Sequence, residues 1–136
     1  MALTRGNLTM FTWSSSSSKT LNANTRVDSD PVTFSDPVVA AAIALNMDNQ
    51  GTPASGDWVD VWIKYTWDGT LYETDEHATY LGRWNTYSTD NPGEDPAAKL
   101  VPIDCSAKGF KISMQANQAA TRNIVVSGGM HAQHAA

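Results

Sequence analysis

One run of ten residues limits what this chain can fold into more than any other part of it. Residues 58–67 read Trp-Val-Asp-Val-Trp-Ile-Lys-Tyr-Thr-Trp. On an extended strand, Val59, Val61, Ile63, Tyr65 and Trp67 fall on one face, and Trp58, Asp60, Trp62, Lys64 and Thr66 on the other. This period of two predicts a strand. Asp68-Gly69 follows at once. Asp-Gly between alternating apolar runs favours a two-residue hairpin turn, because both positions take positive φ cheaply, and residues 70–74 are then the return strand.

The second face of this strand needs explaining. A sheet packed on one side leaves its other face wet, yet Trp58 and Trp62 lie opposite the valines. Three coverings fit: a loop or N-terminal arm of the same chain, a subunit interface, or use of the rings as a stacking platform for sugars. Trp84 and Tyr87, in a further strand over residues 80–87, join Trp58 and Trp62 as candidate interface residues.

The remaining segments point to the same class. Residues 8–13 carry a first β pattern, followed by five consecutive serines, Ser14 to Ser18, which read as a flexible loop or an exposed arm. Residues 32–34 form a short strand after the turn signal Asp28-Ser29-Asp30-Pro31. Residues 38–47 start with Asp36-Pro37, good helix-start chemistry, and are rich in alanine. Even so, Val39, Ala41, Ile43, Leu45 and Met47 alternate with Ala40, Ala42, Ala44 and Asn46, and period two predicts a strand. Residues 90–96, with two prolines and a glycine, form a loop. Residues 100–103 form a short strand in which Pro102 marks an edge or a bulge. Residues 110–115 point Phe110, Ile112 and Met114 inward. Residues 124–127 form the last strand, and the stretch from Gly128 onward is an exposed or mobile tail.

Composition supports the β reading. The 136 residues are 41% hydrophobic and only 17% charged. The balance is made up by 26 Ser and Thr and nine Asn, against three Glu, five Lys and seven Leu. Such side chains compete with helical backbone bonds and favour strands and turns. About eight short strands without helical crossovers imply an all-β sandwich, with a jelly roll as leading topology and an immunoglobulin-like sandwich as alternative. The expected organisation is an N-terminal strand and Ser-rich arm over residues 1–30, a sandwich over 31–128 and a flexible tail over 129–136.

Charge and chemistry narrow the function. A net charge of −5 with nine scattered Lys and Arg disfavours nucleic acid and anionic membranes as partners. No run nears the ~18 apolar residues of a spanning helix, and residues 1–6 lack the apolar segment of a secretory signal. Asn7-Leu8-Thr9 matches a glycosylation acceptor, which carries no weight without export. Cys105 has no partner for an intrachain disulfide and reads as a small buried thiol. His77, His131 and His134 are the only histidines, and no serine sits in a nucleophile elbow. Asp75-Glu76-His77 converges on a metal only if it is a loop, and the oxygen-rich runs at Asp28 and Asp48 do not match a calcium loop. The expected counts are therefore no catalytic residue, no cofactor and no metal.

Several segments in this order and spacing resemble small structural proteins of tailed bacteriophages. They are residues 58–66, Asp68-Gly69-Thr70, residues 74–78 (Thr-Asp-Glu-His-Ala), Pro102-Ile103-Asp104 and residues 118–124 (Gln-Ala-Ala-Thr-Arg-Asn-Ile). The resemblance covers about residues 30–128. It implies a virion protein made in the host cytoplasm, in particular a capsid decoration (cement) protein. Such a protein would be a β-sandwich or jelly roll, often a trimer, clamping the major capsid protein. A carbohydrate-binding module and a tail or connector component are the alternatives.

Overall fold

In the computed structural model, residues 3–5, 8–35, 37–87, 97–119 and 122–135 are described. Among them are eleven strands and no helix: β1 (Leu3–Arg5), β2 (Thr9–Met10), β3 (Ser18–Leu21), β4 (Arg26–Asp28), β5 (Val32–Thr33), β6 (Val38–Asn49), β7 (Trp58–Thr66), β8 (Thr79–Asn85), β9 (Ala97–Ile103), β10 (Gly109–Asn117) and β11 (Ile124–Ala135). The expected loop at 90–96 lies outside the described residues.

The strands form two antiparallel sheets. The first runs β1-β11-β6-β9, with β2 and β3 also on the free edge of β11; the second runs β4-β10-β7-β8, with β5 also on β10. Taking β1–β3 as one interrupted edge strand and β4–β5 as another leaves eight strand positions. The first pairs with the last, the second with the seventh, the third with the sixth and the fourth with the fifth. A hairpin rolled up in this way is a jelly roll. The sandwich expected from composition is present, with the leading topology.

Period-two patterning makes the core. Ile43, Leu45, Met47, Ile124 and Val126 from the first sheet meet Val59, Val61, Ile63, Ile112 and Met114 from the second, all essentially buried. Phe11 packs edge-on against Phe110 at 6.0 Å. Phe11, Trp13 and Leu21 are all buried, so the stretch from Phe11 to Leu21 contributes to this core and is not a separate arm. The serine run makes a tight turn instead: Trp13 and Ser16 bridge, Ser14 and Ser15 take positive φ, and Ser18 opens β3.

Four expectations are corrected. Residues 70–74 are not a strand; β7 pairs with β8, with Trp62 opposite Tyr80. Gly69 has positive φ but Asp68 does not, so the turn lacks the two left-handed positions of a tight hairpin. Instead, the Asp68 carboxylate accepts hydrogen bonds from the amides of Thr70 and Leu71 (both 2.8 Å). Trp67 lies past the end of β7 and is 81% exposed rather than inward. Val39, expected inward, is 49% exposed, because the register shifts between Gln133 and His134 and leaves Val39 unopposed.

The fourth correction concerns the C-terminus. The last strand does not end at Ser127. It continues to Ala135, paired with β6 along its length and with β1 and β2, and Met130 and Ala132 are buried. Gly128-Gly129 is a close-approach site. A Cβ on Gly128 would lie 2.1 Å from the Ala44 carbonyl, and one on Gly129 2.4 Å from that of Thr9.

Two substitutions test the extended strand. Met130→Ala should cost about 2–5 kcal/mol through the cavity it leaves, and Gly128→Ala about 1–3 kcal/mol or more through overlap with backbone. Urea denaturation monitored by tryptophan fluorescence measures both. A loose tail would leave the midpoint unchanged.

Candidate functional site

The outer faces of the two sheets differ in chemistry. On the second sheet, strand alternation places Trp58, Asp60, Trp62 and Lys64 outward, in register with Arg83 and Tyr80 of β8 and with Ser113 of β10. These groups cover one another. The Arg83 guanidinium lies 4.0 Å over the Trp58 ring and makes two bonds to Asp60 (3.0 and 3.2 Å). Tyr80 Oη donates to Asp60 (2.7 Å) and its ring meets Trp62 at 5.6 Å. The Arg26 guanidinium lies 3.7 Å over Trp62, with its Nε donating to Ser113 (2.6 Å). Lys64 bridges Asp28 (2.8 Å) and Asp75 (2.5 Å). Lys64 is only 7% exposed and Ser113 fully buried, so water is excluded from the centre of this face, while Tyr80, Arg83 and Asp75 around it stay exposed.

Cation–π stacking and ion pairing therefore do what a partner surface was one candidate to do. The covering groups come from the same chain: from β8 and β10, from Arg26 and Asp28 of the N-terminal segment, and from Asp75 of the β7–β8 loop. Among the candidate interface residues, Trp58 and Trp62 are half-buried beneath arginines and Tyr87 is half-buried just beyond β8. Trp84 points the other way. It is 2% exposed, donates from Nε1 to the Leu45 carbonyl (3.3 Å), and belongs to the core. The register shift between Val61 and Trp62 puts Trp84 opposite Val59, on the inward face.

A second polar cluster fastens the loops at one end of the sandwich. Asp57 is 2% exposed and accepts two bonds from Arg122 (2.5 and 2.7 Å), one from Asn49 (3.0 Å) and one from the Ala54 amide (3.1 Å). Asn49 also donates to Thr86 (3.1 Å), whose hydroxyl donates to the Asp57 carbonyl. Burial pushes the Asp57 carboxyl up, but the bonds from Arg122, Ala54 and Asn49 outweigh it and hold the group below the usual carboxylate range. Asp60 is lowered in the same way, with burial opposed by Arg83 and Tyr80.

The outer face of the first sheet has no such cover. Its centre is floored by Ala40, Ala42 and Ala44 and walled by Leu100, Pro102 and His131, forming an open trough of about 520 Å³. A second hollow of about 410 Å³ continues it past Leu8 and Lys99. Leu100 is 62% exposed, Leu8 41% and Met10 47%, and no carboxylate lines either hollow. Composition hid this surface, because alanines that alternate with Ile43 and Leu45 read as filler. The visible signal was that four small residues, Ala40, Ala42, Ala44 and Gly129, occupy the outward positions of paired strands.

Among the described residues, no three His, Cys, Asp or Glu side chains gather as a metal site would require. Asp75-Glu76-His77 does form a turn, but Asp75 is engaged by Lys64. Cys105 is a half-buried free thiol 3.6 Å from the Val38 carbonyl.

These features define the class: a jelly-roll β-sandwich with one sheet face sealed by its own side chains and the other left apolar and open. No family model and no curated protein matches the chain. Among solved structures it is similar in fold to a chain in the structure of infectious bursal disease virus, Gx strain. That match has 13% identity and a TM-score of 0.43, and covers 98% of this chain and 33% of the viral one. The chain thus spans about a third of that protein's length.

The depressed carboxylates set a pH dependence. Stability from Asp57 and Asp60 is present above the ordinary Asp pKa of about 3.9 and is lost as pH falls through their lower folded values. Melting temperature should hold steady from neutral pH to about 5 and drop below about 4. Arg122→Ala should cost on the order of 3 kcal/mol at pH 7, because it strands the buried Asp57 charge. The same variant should lose less on acidification, which thermal melts across pH would register.

Proposed function

We propose that this chain is a non-enzymatic structural protein of a virion, which decorates and stabilises a bacteriophage capsid by binding the major capsid protein as a symmetric oligomer. The observation that carries this reading is the alanine-floored outer face of the first sheet, whose hollows are lined by no carboxylate. Soluble domains rarely leave a contiguous apolar face unused, and such faces mark contact with other proteins. An acidic domain with a net charge of −5 and polar groups engaged in fastening loops and sealing a face is suited to contact more than to chemistry. Repetition of modest contacts around a symmetry axis multiplies affinity for a repeating shell. The resemblance of residues 30–128 to tailed-phage structural proteins supports the same role, with the capsid surface as location.

The carbohydrate-binding alternative needs free aromatic faces on Trp58 and Trp62, and arginine side chains occupy them. A tail or connector component shares the architecture and is separated by where the protein sits in the particle.

The deciding experiment mixes purified protein with undecorated phage heads, followed by sedimentation and cryo-electron microscopy. The expected result is co-sedimentation and density repeating with the capsid lattice. Protein that stays in the supernatant, or sits only at the tail, overturns the decoration role.

A further inference from the structure

Asp68-Gly69, in the connection between β7 and β8, is the one Asp-Gly step in the chain, and no Asn-Gly occurs. Asp-Gly is the aspartyl step most prone to spontaneous isomerisation, because glycine has no side chain to obstruct its own amide nitrogen. That nitrogen attacks the Asp side-chain carboxyl carbon, the amide proton and the carboxyl hydroxyl leave as water, and a succinimide ring closes. Water then opens the ring at either carbonyl. Opening at the original main-chain carbonyl leaves isoaspartate, which has an extra methylene in the backbone and no net change in mass. Closure requires a neutral carboxylic acid as electrophile and a freed amide as nucleophile.

The turn depends on this labile step. Gly69 takes a φ of +84°, where any side chain is strained, and a Cβ there would lie 3.3 Å from Lys108 Cε. Asp68 Oδ1 accepts from the Thr66 hydroxyl (3.1 Å) and from the Thr70 and Leu71 amides (both 2.8 Å). These bonds shape the loop that carries the exposed Trp67 and Leu71. An extra backbone methylene at Asp68 would move the carboxylate out of their reach.

One side chain opposes both requirements for closure. Thr66, the last residue of β7, is 2% exposed, and its hydroxyl is fixed between the two reacting groups. It donates to Asp68 Oδ1 and accepts from the Gly69 amide (3.0 Å). Bonds from the Leu71 and Thr70 amides, and then from the Thr66 hydroxyl, hold the Asp68 carboxyl below the usual carboxylate range, so the neutral acid is scarce. The turn is braced beyond this point as well. The Glu73 amide donates to the Tyr65 carbonyl (3.1 Å), while the Glu73 carboxylate accepts from the Tyr65 amide (2.7 Å). We propose that Thr66 protects the Asp68-Gly69 step, and with it the exposed β7–β8 loop, from conversion to isoaspartate. This role is independent of the virion reading and stands or falls without it.

Ageing the purified full chain at neutral pH provides the test. Isoaspartate at Asp68 is counted by peptide mapping, with electron-transfer fragmentation to separate isomers of equal mass. In the native chain it should form at least about tenfold more slowly than in the same chain unfolded in guanidinium chloride. Thr66→Val keeps the side-chain volume and removes the hydroxyl. It should raise the native rate by about tenfold, as expected for loss of a hydrogen bond to a charged group. Thr66→Ser, which retains the hydroxyl, should age like wild type, and circular dichroism confirms that both variants fold. Equal rates in native and unfolded wild type overturn the inference. So does a folded Thr66→Val chain that ages no faster than wild type. Should Thr66→Val not fold, hydrogen exchange of the wild-type Gly69 amide decides. Slow exchange is the result expected of an amide held by Thr66, and exchange at the free-peptide rate overturns the role.

Discussion

The central strand β7 must be hidden on both sides, and the rest of the sandwich follows from how that is achieved. Its inward residues Val59, Val61 and Ile63 are fully buried and require a second sheet packed about 10 Å away. Its outward residues Trp58, Asp60, Trp62 and Lys64 are too large and too polar to be covered by an apolar layer. The covering is a lattice of opposite charges and stacked rings, drawn from the two flanking strands, β4 and the β7–β8 connection. Most of the polar groups there meet a specific partner, which fixes register more firmly than apolar packing could.

The opposite sheet follows different physics. At the centre of β6 and β11 the outward positions hold Ala40, Ala42, Ala44 and Gly129, so the backbone there is thinly covered between Leu100, Pro102 and His131. The same small side chains let the N-terminal segment cross close to β11, where Gly129 has no room for a side chain beside the Thr9 carbonyl. One face of the domain is complete in itself. The other is left apolar and open.

This asymmetry gives the functional reading its physical content. A protein that works by contact gains from surfaces that are rigid before contact and unsatisfied without it. The Asp57–Arg122–Asn49 cluster adds rigidity at the end of the sandwich by tying the β6–β7 loop to the segment before β11, so the edges of the open face are held in place.

How much of this was legible in the sequence depended on whether neighbours along the chain were enough to decide it. Alternation fixed which residues of β7 and β10, and of β6 from Ala41 onward, face inward, and eight strand positions with turn chemistry between them pointed to a jelly roll. The scarcity of helix formers excluded helical crossovers. Tertiary contacts decided the rest. Trp84 reads as an outward aromatic until a register shift turns it into the core. Asp68-Gly69 reads as a tight hairpin until the Asp68 carboxylate captures the following amides. Gly128-Gly129 reads as a chain end because glycine has poor strand propensity, yet it is the residue that close approach to Ala44 and Thr9 demands. The covering of Trp58 and Trp62 and the bareness of the alanine face share this cause. Side chains far apart in sequence, such as Arg26 and Trp62, meet only once both sheets are in register, and no local pattern encodes that meeting.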